Sequence, residues 1–233
     1  MRLDRILSNR PRFSRRTASQ VIADGKVTVD GKVCRDPRID VSRFMSVSLE
    51  NELLQQPDTA HYLMLNKPVG YLSATKDHNH RTVLDLIAPA LRFDLHIGGR
   101  LDRASSGLLI LTNDGVWSRR LTEPKVKIPK VYRVTTALPI TDDSIARFAE
   151  GIWFAYEGLT TSPASLLRLS CDEALVTIYE GRYHQVKRMF HAVGNRVLTL
   201  HRQSMGDIRL DGMLEPGQSR KLTSDEIACN HSG

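Results

Sequence analysis

Apolar residues change their spacing along this chain, and each change marks an element. Leu3, Ile6 and Leu7 predict a short helix. Ala18, Val21 and Ile22 follow i, i+3, i+4 spacing and predict a second, with Ser14 as its N-cap and Gly25 at its end. Val27-Thr28-Val29, the Asp30-Gly31 turn and Lys32-Val33-Cys34 predict a tight hairpin. Periodicity then fails over 52–60, around Gln55-Gln56-Pro57-Asp58. That stretch is expected to be a linker between a domain over 1–57 and another over 58–233.

Past the linker, residues 61–66 read as a strand halted by Lys67-Pro68-Val69-Gly70. Thr82 and Asp85 have the spacing of a capping box for a helix carrying Val83, Ile87 and Leu91. Leu108-Leu109-Ile110-Leu111 predicts a buried strand ending at Asn113-Asp114-Gly115, and Gly115-Val116-Trp117-Ser118 reads as a turn. Residues 131–135 and 174–179 predict two more strands. Thr141 caps a predicted helix of Ile145, Phe148 and Ala149 that Gly151 closes. Val186, Met189, Phe190 and Val193 form the apolar stripe of another, ended by Gly194-Asn195. Without regular βαβ alternation, repeats or low-complexity tracts, the fold class expected is α+β.

Charge adds a partner class to this picture. The 233 residues carry a net charge of +7, which favours polyanions. Residues 1–50 hold eleven of the basic residues against six acids, a surplus of five. Arg12, Arg15 and Arg16 crowd the start of the second helix, where the helix dipole disfavours cations. They fit a solvated face, or a helix laid on nucleic-acid phosphates. Cys34, Cys171 and Cys229 are scattered and predict neither a disulfide framework nor a zinc site. No apolar run approaches the ~20 residues of a membrane span, and Met1-Arg2-Leu3-Asp4 does not open a secretory leader. A soluble, intracellular protein is expected.

Two segments carry the candidate chemistry. In Gly99-Arg100-Leu101-Asp102-Arg103-Ala104-Ser105-Ser106-Gly107, one carboxylate sits among arginines, hydroxyls and glycines. This suits a loop approaching a ligand closely, and equally a turn-forming aspartate bridged to Arg100 or Arg103. In Glu180-Gly181-Arg182-Tyr183-His184-Gln185-Val186-Lys187-Arg188-Met189-Phe190, several basic groups precede or flank a helix. Lys187 lies off the apolar stripe and can hold a carboxylate ionised from a distance in sequence, or remain on a solvated face. Tyr132 alternates with Val131 on a strand and fits base stacking, proton transfer or the core. His78-Asn79-His80 has one adjacent carboxylate, Asp77, and no cysteine nearby, too few ligands for a metal site, so none is expected. His96, His184 and His201 fit structural or RNA-contacting roles. The absence of GxGxxG, Walker A and G-x-S-x-G patterns argues against a nucleotide cofactor or a serine hydrolase.

Together these motifs resemble the type A pseudouridine synthases of the ribosomal small subunit, in which an S4 RNA-binding domain precedes the synthase domain. The S4 likeness rests on Arg2-Leu3-Asp4, Ser14-Arg15 and Gly25-Lys26-Val27-Thr28-Val29-Asp30-Gly31. The synthase likeness rests on Leu65-Asn66-Lys67-Pro68-Val69-Gly70, Gly99-Arg100-Leu101-Asp102, Thr112-Asn113-Asp114-Gly115, Lys130-Val131-Tyr132 and the 181–190 segment. Ser105-Ser106, where threonines are common, and Pro129-Lys130-Val131 depart slightly from the family pattern. Neither removes a catalytic group.

The resemblance implies a small S4 (αL-type) domain and a larger, mainly antiparallel mixed sheet with flanking helices. It implies cofactor-free isomerisation of uridine in ribosomal RNA, nearest in detail to the 16S enzymes acting at a uridine-516 type of site. A large-subunit (23S) synthase and a non-catalytic ribosome-assembly factor are the alternatives. Asp102 would be the essential carboxylate, as nucleophile or as base, with Lys187 its paired cation and Tyr132 the active-site aromatic. Arg2, Arg5, Arg15, Arg16, Lys26, Lys67, Arg100, Arg182 and Arg188 would bind RNA, with Lys67 and Arg182 on phosphates near the site. The expected partner is ribosomal RNA, free or in a pre-ribosomal particle, met by a cytoplasmic monomer without a metal.

Overall fold

A computed structural model describes residues 1–229. The chain divides into two compact units, Met1–Ala60 and a second from His61 onward.

The first unit holds α1 (Leu3–Ser8), α2 (Arg15–Ala23), β1 (Val27–Val29), β2 (Lys32–Cys34), β3 (Val47–Leu49) and β4 (Glu52–Gln55). Ser14 Oγ accepts from Thr17 N at 3.1 Å and caps α2 as its sequence predicts. The strands pair antiparallel in the order β2-β1-β3-β4. Leu3, Leu7, Ala18, Ile22, Val27, Val47 and Leu54 form its core. The expected linker therefore begins as a strand. Only Leu54 of β4 is buried, too little apolar signal to stand out, and Gln55 is drawn in by donating to the Ser42 and Met45 carbonyls.

The second unit contains β5 (Tyr62–Lys67), β6 (His96–Gly98), β7 (Ser106–Thr112), α3 (Gly115–Thr122), β8 (Lys130–Thr136), α4 (Asp142–Glu150), β9 (Trp153–Phe154), β10 (Leu159–Thr160), β11 (Ser165–Arg168), β12 (Glu173–Ile178), α5 (Gln185–Ala192), β13 (Val197–Met205), β14 (Ile208–Arg209), β15 (Ser219–Lys221) and α6 (Ser224–Ala228). Its main sheet runs β11-β12-β8-β13-β7-β5-β15, with β14 added to β13 and β6 to β7. Every pairing in it is antiparallel except β13 with β7. The fold is α+β, as its sequence implies.

The continuous apolar run in β7 has a simple cause: both faces are covered. Leu109 and Leu111 join a core with Phe148, Met189 and Phe190 from α4 and α5. Leu108 and Ile110 join a second core with Trp117 and Leu121 of α3.

Two expectations fail locally. The helix starting at Thr82 is a pair of short 3-10 helices, Val83–Leu86 and Pro89–Asp94. Its capping box forms, but Pro89 supplies no N–H and restricts Ala88, so no continuous helix can pass. Residues 115–118 form the start of α3 rather than a turn, because Asp114 Oδ1 accepts from Val116 N and Trp117 N. Among the described residues no helix is long and apolar enough to cross a membrane.

Candidate active site

The loop between β6 and β7 carries Asp102, and almost every carbonyl along it is held. Arg202 of β13 donates through Nη2 to Gly99 O at 3.0 Å, through Nη1 to Arg100 O at 3.3 Å and through Nε to Leu108 O at 2.8 Å. Ser73 Oγ donates to Leu101 O at 2.7 Å. Lys67 Nζ donates to the carbonyls of Pro68, Asp102 and Ser105 at 2.9, 3.2 and 2.8 Å. Gly70 N reaches Arg103 O at 2.7 Å. Bonded at so many points, the backbone fixes where the Asp102 side chain emerges, which is the preorganisation a reactive group requires.

Lys67 corrects an expectation. It is fully buried on these three carbonyls, so it braces the loop from within and cannot bind a phosphate. Burial lowers its pKa to about 8; the Asp102 charge opposes that shift, and the charges of Arg202 and Lys187 reinforce it.

Asp102 meets two groups from the start of α5. Lys187 Nζ lies 3.3 Å from Oδ2, and His184 Nε2 lies 3.4 Å from Oδ1. The α5 stripe of Val186, Met189 and Phe190 is buried in the sheet core, which turns Lys187 toward Asp102. The preceding turn is closed by Gln185, whose side chain accepts from Arg182 N at 3.0 Å and donates to Glu180 at 2.8 Å.

Asp102, Tyr132, Lys130, Arg100, Arg182, Tyr183, His184 and Ser105 all line one open cavity of about 780 Å³. Tyr132 is mostly buried on β8, its hydroxyl 3.5 Å from Arg202 Nη1. Lys130, two residues earlier on the same face, is pushed down to about 8 by burial and by Arg202. Ser105 Oγ is buried and, among the described residues, lacks a hydrogen-bond partner.

The remaining expected basic residues are arranged unevenly. Arg182 bridges Glu157 and Glu180, each at 3.1 Å. Arg188 pairs with the same Glu157 at 2.5 Å, and its guanidinium carbon lies 3.7 Å from the centre of the Phe154 ring. In the first unit Arg5, Arg15 and Arg16 are exposed, Arg2 pairs with Asp4, and Lys26 approaches Glu50 at 3.5 Å.

Comparison with known proteins places this arrangement in a family. The RNA pseudouridylate synthase family matches residues 61–192, and the S4 domain matches residues 1–47. The chain belongs to the RNA pseudouridylate synthases. This synthase is 52% identical to the ribosomal small subunit pseudouridine synthase A of Pseudomonas aeruginosa, over 97% of this chain and 99% of that one. It is 42% identical to the Escherichia coli K12 protein of the same name, over 98% and 99%. A solved pseudouridylate synthase is 39% identical and superposes with a TM-score of 0.72 over 99% of both chains.

Sequence patterns in the synthase do not single out two of the groups found here. Arg202 lies in a strand whose alternation is irregular, broken by register shifts around Thr199 and Ser204, and nothing local marks its guanidinium as buried. His184 reads in sequence only as a structural or RNA-contacting histidine. Its position before a predicted amphipathic helix, three residues from Lys187, is the usable signal.

Proposed function

We propose that this synthase isomerises a uridine of small-subunit (16S) ribosomal RNA, at the uridine-516 type of site, in the cytoplasm and as a monomer. The reading is carried by Asp102: an aspartate on a braced loop, paired with Lys187, at the edge of a cavity open to solvent. The likeness to two small-subunit synthases over nearly their whole length supports the choice of RNA.

The reaction breaks the C1′–N1 bond, turns the uracil within the cavity and joins C1′ to C5. The C5 proton leaves and N1 gains one, so no atom is gained or lost. Asp102 starts the sequence, either by attack on the sugar or base or by removing a ribose proton. Lys187 and His184 hold its two oxygens and set the direction in which the carboxylate faces the substrate. Tyr132 stacks on the uracil once it is swung out of the RNA, and contacts in the cavity offset the loss of stacking. Arg100 and Arg182 meet neighbouring phosphates, while the exposed arginines of α2 add affinity with little sequence preference.

Pseudouridine mapping of ribosomal RNA from a strain lacking the gene tests this. One small-subunit pseudouridine should disappear and return with the wild-type gene. Loss of a large-subunit pseudouridine instead would reassign the target, and an unchanged map would leave only an RNA-binding role.

A further inference from the structure

Tyr183 is out of place for a large ring. It is 73% exposed, yet it lines the cavity that holds Asp102. One of its faces is already occupied: the His184 imidazole stacks on it with centroids 3.8 Å apart and planes 19° from parallel. His184 occupies the left-handed region, at φ 49° and ψ 32°, a conformation uncommon for residues other than glycine. The same imidazole reaches Asp102 through Nε2. Arg188 donates to the Tyr183 carbonyl at 3.3 Å, and Glu157 gathers Arg182 and Arg188 beside it. A ring held on one face loses little freedom when the other is covered.

The spacing of this pair is close to the ~3.4 Å between successive bases of a nucleic-acid strand. We propose that the open face of Tyr183 receives the nucleobase next to the target uridine, so that Tyr183 and His184 continue the RNA stack to the wall of the cavity. The flipped uridine then leaves its strand beside Asp102, and the neighbouring base keeps a stacking partner. This deepens the functional reading above and rests on it for the identity of the ligand as RNA.

The test uses the full-length enzyme and whichever ribosomal RNA transcript the wild type modifies. Tyr183→Leu should raise KM by about tenfold and lower kcat less, while Tyr183→Trp should stay within about threefold of the wild-type KM, as the loss and retention of one base–aromatic stack require. Thermal unfolding of Tyr183→Leu should match wild type, since the ring is exposed. A synthetic RNA of the modified sequence, abasic on one side of the uridine or the other, then identifies the partner. One of the two substitutions should raise KM for wild type but add nothing to Tyr183→Leu. A wild-type KM for Tyr183→Leu, or effects that multiply with both abasic substitutions, overturns the platform while leaving the enzyme's activity intact. Absence of pseudouridine formation by wild type on every ribosomal RNA overturns the functional reading and the platform with it.

Discussion

Arg202 closes over Gly107 so tightly that a Cβ there would lie 2.3 Å from the Arg202 carbonyl oxygen and 2.6 Å from its nitrogen. The two residues are register partners where β13 runs parallel to β7, and Gly107 has φ +102°. This contact brings the Arg202 guanidinium onto the carbonyls of Gly99 and Arg100. A missing side chain on β7 thus lets β13 brace the loop that carries Asp102.

Gly107→Ala is accordingly expected to destabilise the second unit by about 3 kcal/mol or more, because it combines a left-handed alanine with overpacking against backbone. Urea unfolding followed by near-UV circular dichroism measures this. A variant with the wild-type midpoint would mean that the two strands separate at little cost.

Asp102→Asn should abolish pseudouridine formation and leave RNA affinity within about threefold of wild type, since catalysis loses a reacting group while the phosphate contacts that dominate affinity remain. Release of tritium from RNA labelled at C5 of uridine, together with a filter-binding titration, separates the two. Turnover at the wild-type rate would remove Asp102 from the mechanism.

Stability should depend on pH through Lys130. Its pKa falls from 10.5 to about 8 on folding, by burial and the nearby charge of Arg202. Between those values the unfolded chain holds a proton that the folded chain has lost, so the contribution of Lys130 to stability rises with pH. Below pH 8 both states are protonated and the cost of the buried charge is present in full. The difference in unfolding free energy between Lys130→Met and wild type should therefore shift in favour of wild type from pH 7 to pH 9.5. Denaturant titrations at the two pH values decide it; a constant difference would mean that Lys130 stays charged throughout.

Arg15 and Arg16 are exposed at the start of α2, where the helix dipole offers them no support. Replacing both with alanine should reduce the slope of log K against log salt for RNA binding by about 1.5, as expected for two lost phosphate contacts. Fluorescence anisotropy over a range of potassium chloride concentrations measures the slope, and an unchanged slope would place the contacts elsewhere.

Much of this is legible in the chain. The stripes of α2, α4 and α5 and the caps at Ser14, Thr82 and Thr141 depend on residues within four positions of each other, so short-range chemistry specifies them. Asp102 and Lys187 are singled out by the resemblance of their segments to a family, since a turn-forming aspartate and a lysine on a solvated face fit the local pattern as well. The helix after Asp114 is obscured by glycine at its first position, and β4 by having a single buried residue.

What the chain order could not decide is which groups meet. His184 comes to Asp102 because α5 is seated on the sheet core. Lys67 and Arg202 are ordinary basic residues in sequence. They become buried braces because β5 and β13 flank β7 and deliver them to the carbonyls of the Asp102 loop. Local sequence determined which elements form and where a carboxylate could react. The tertiary structure alone determined which cations face solvent and which hold the loop, because burial is a property of what packs on a residue from elsewhere in the chain.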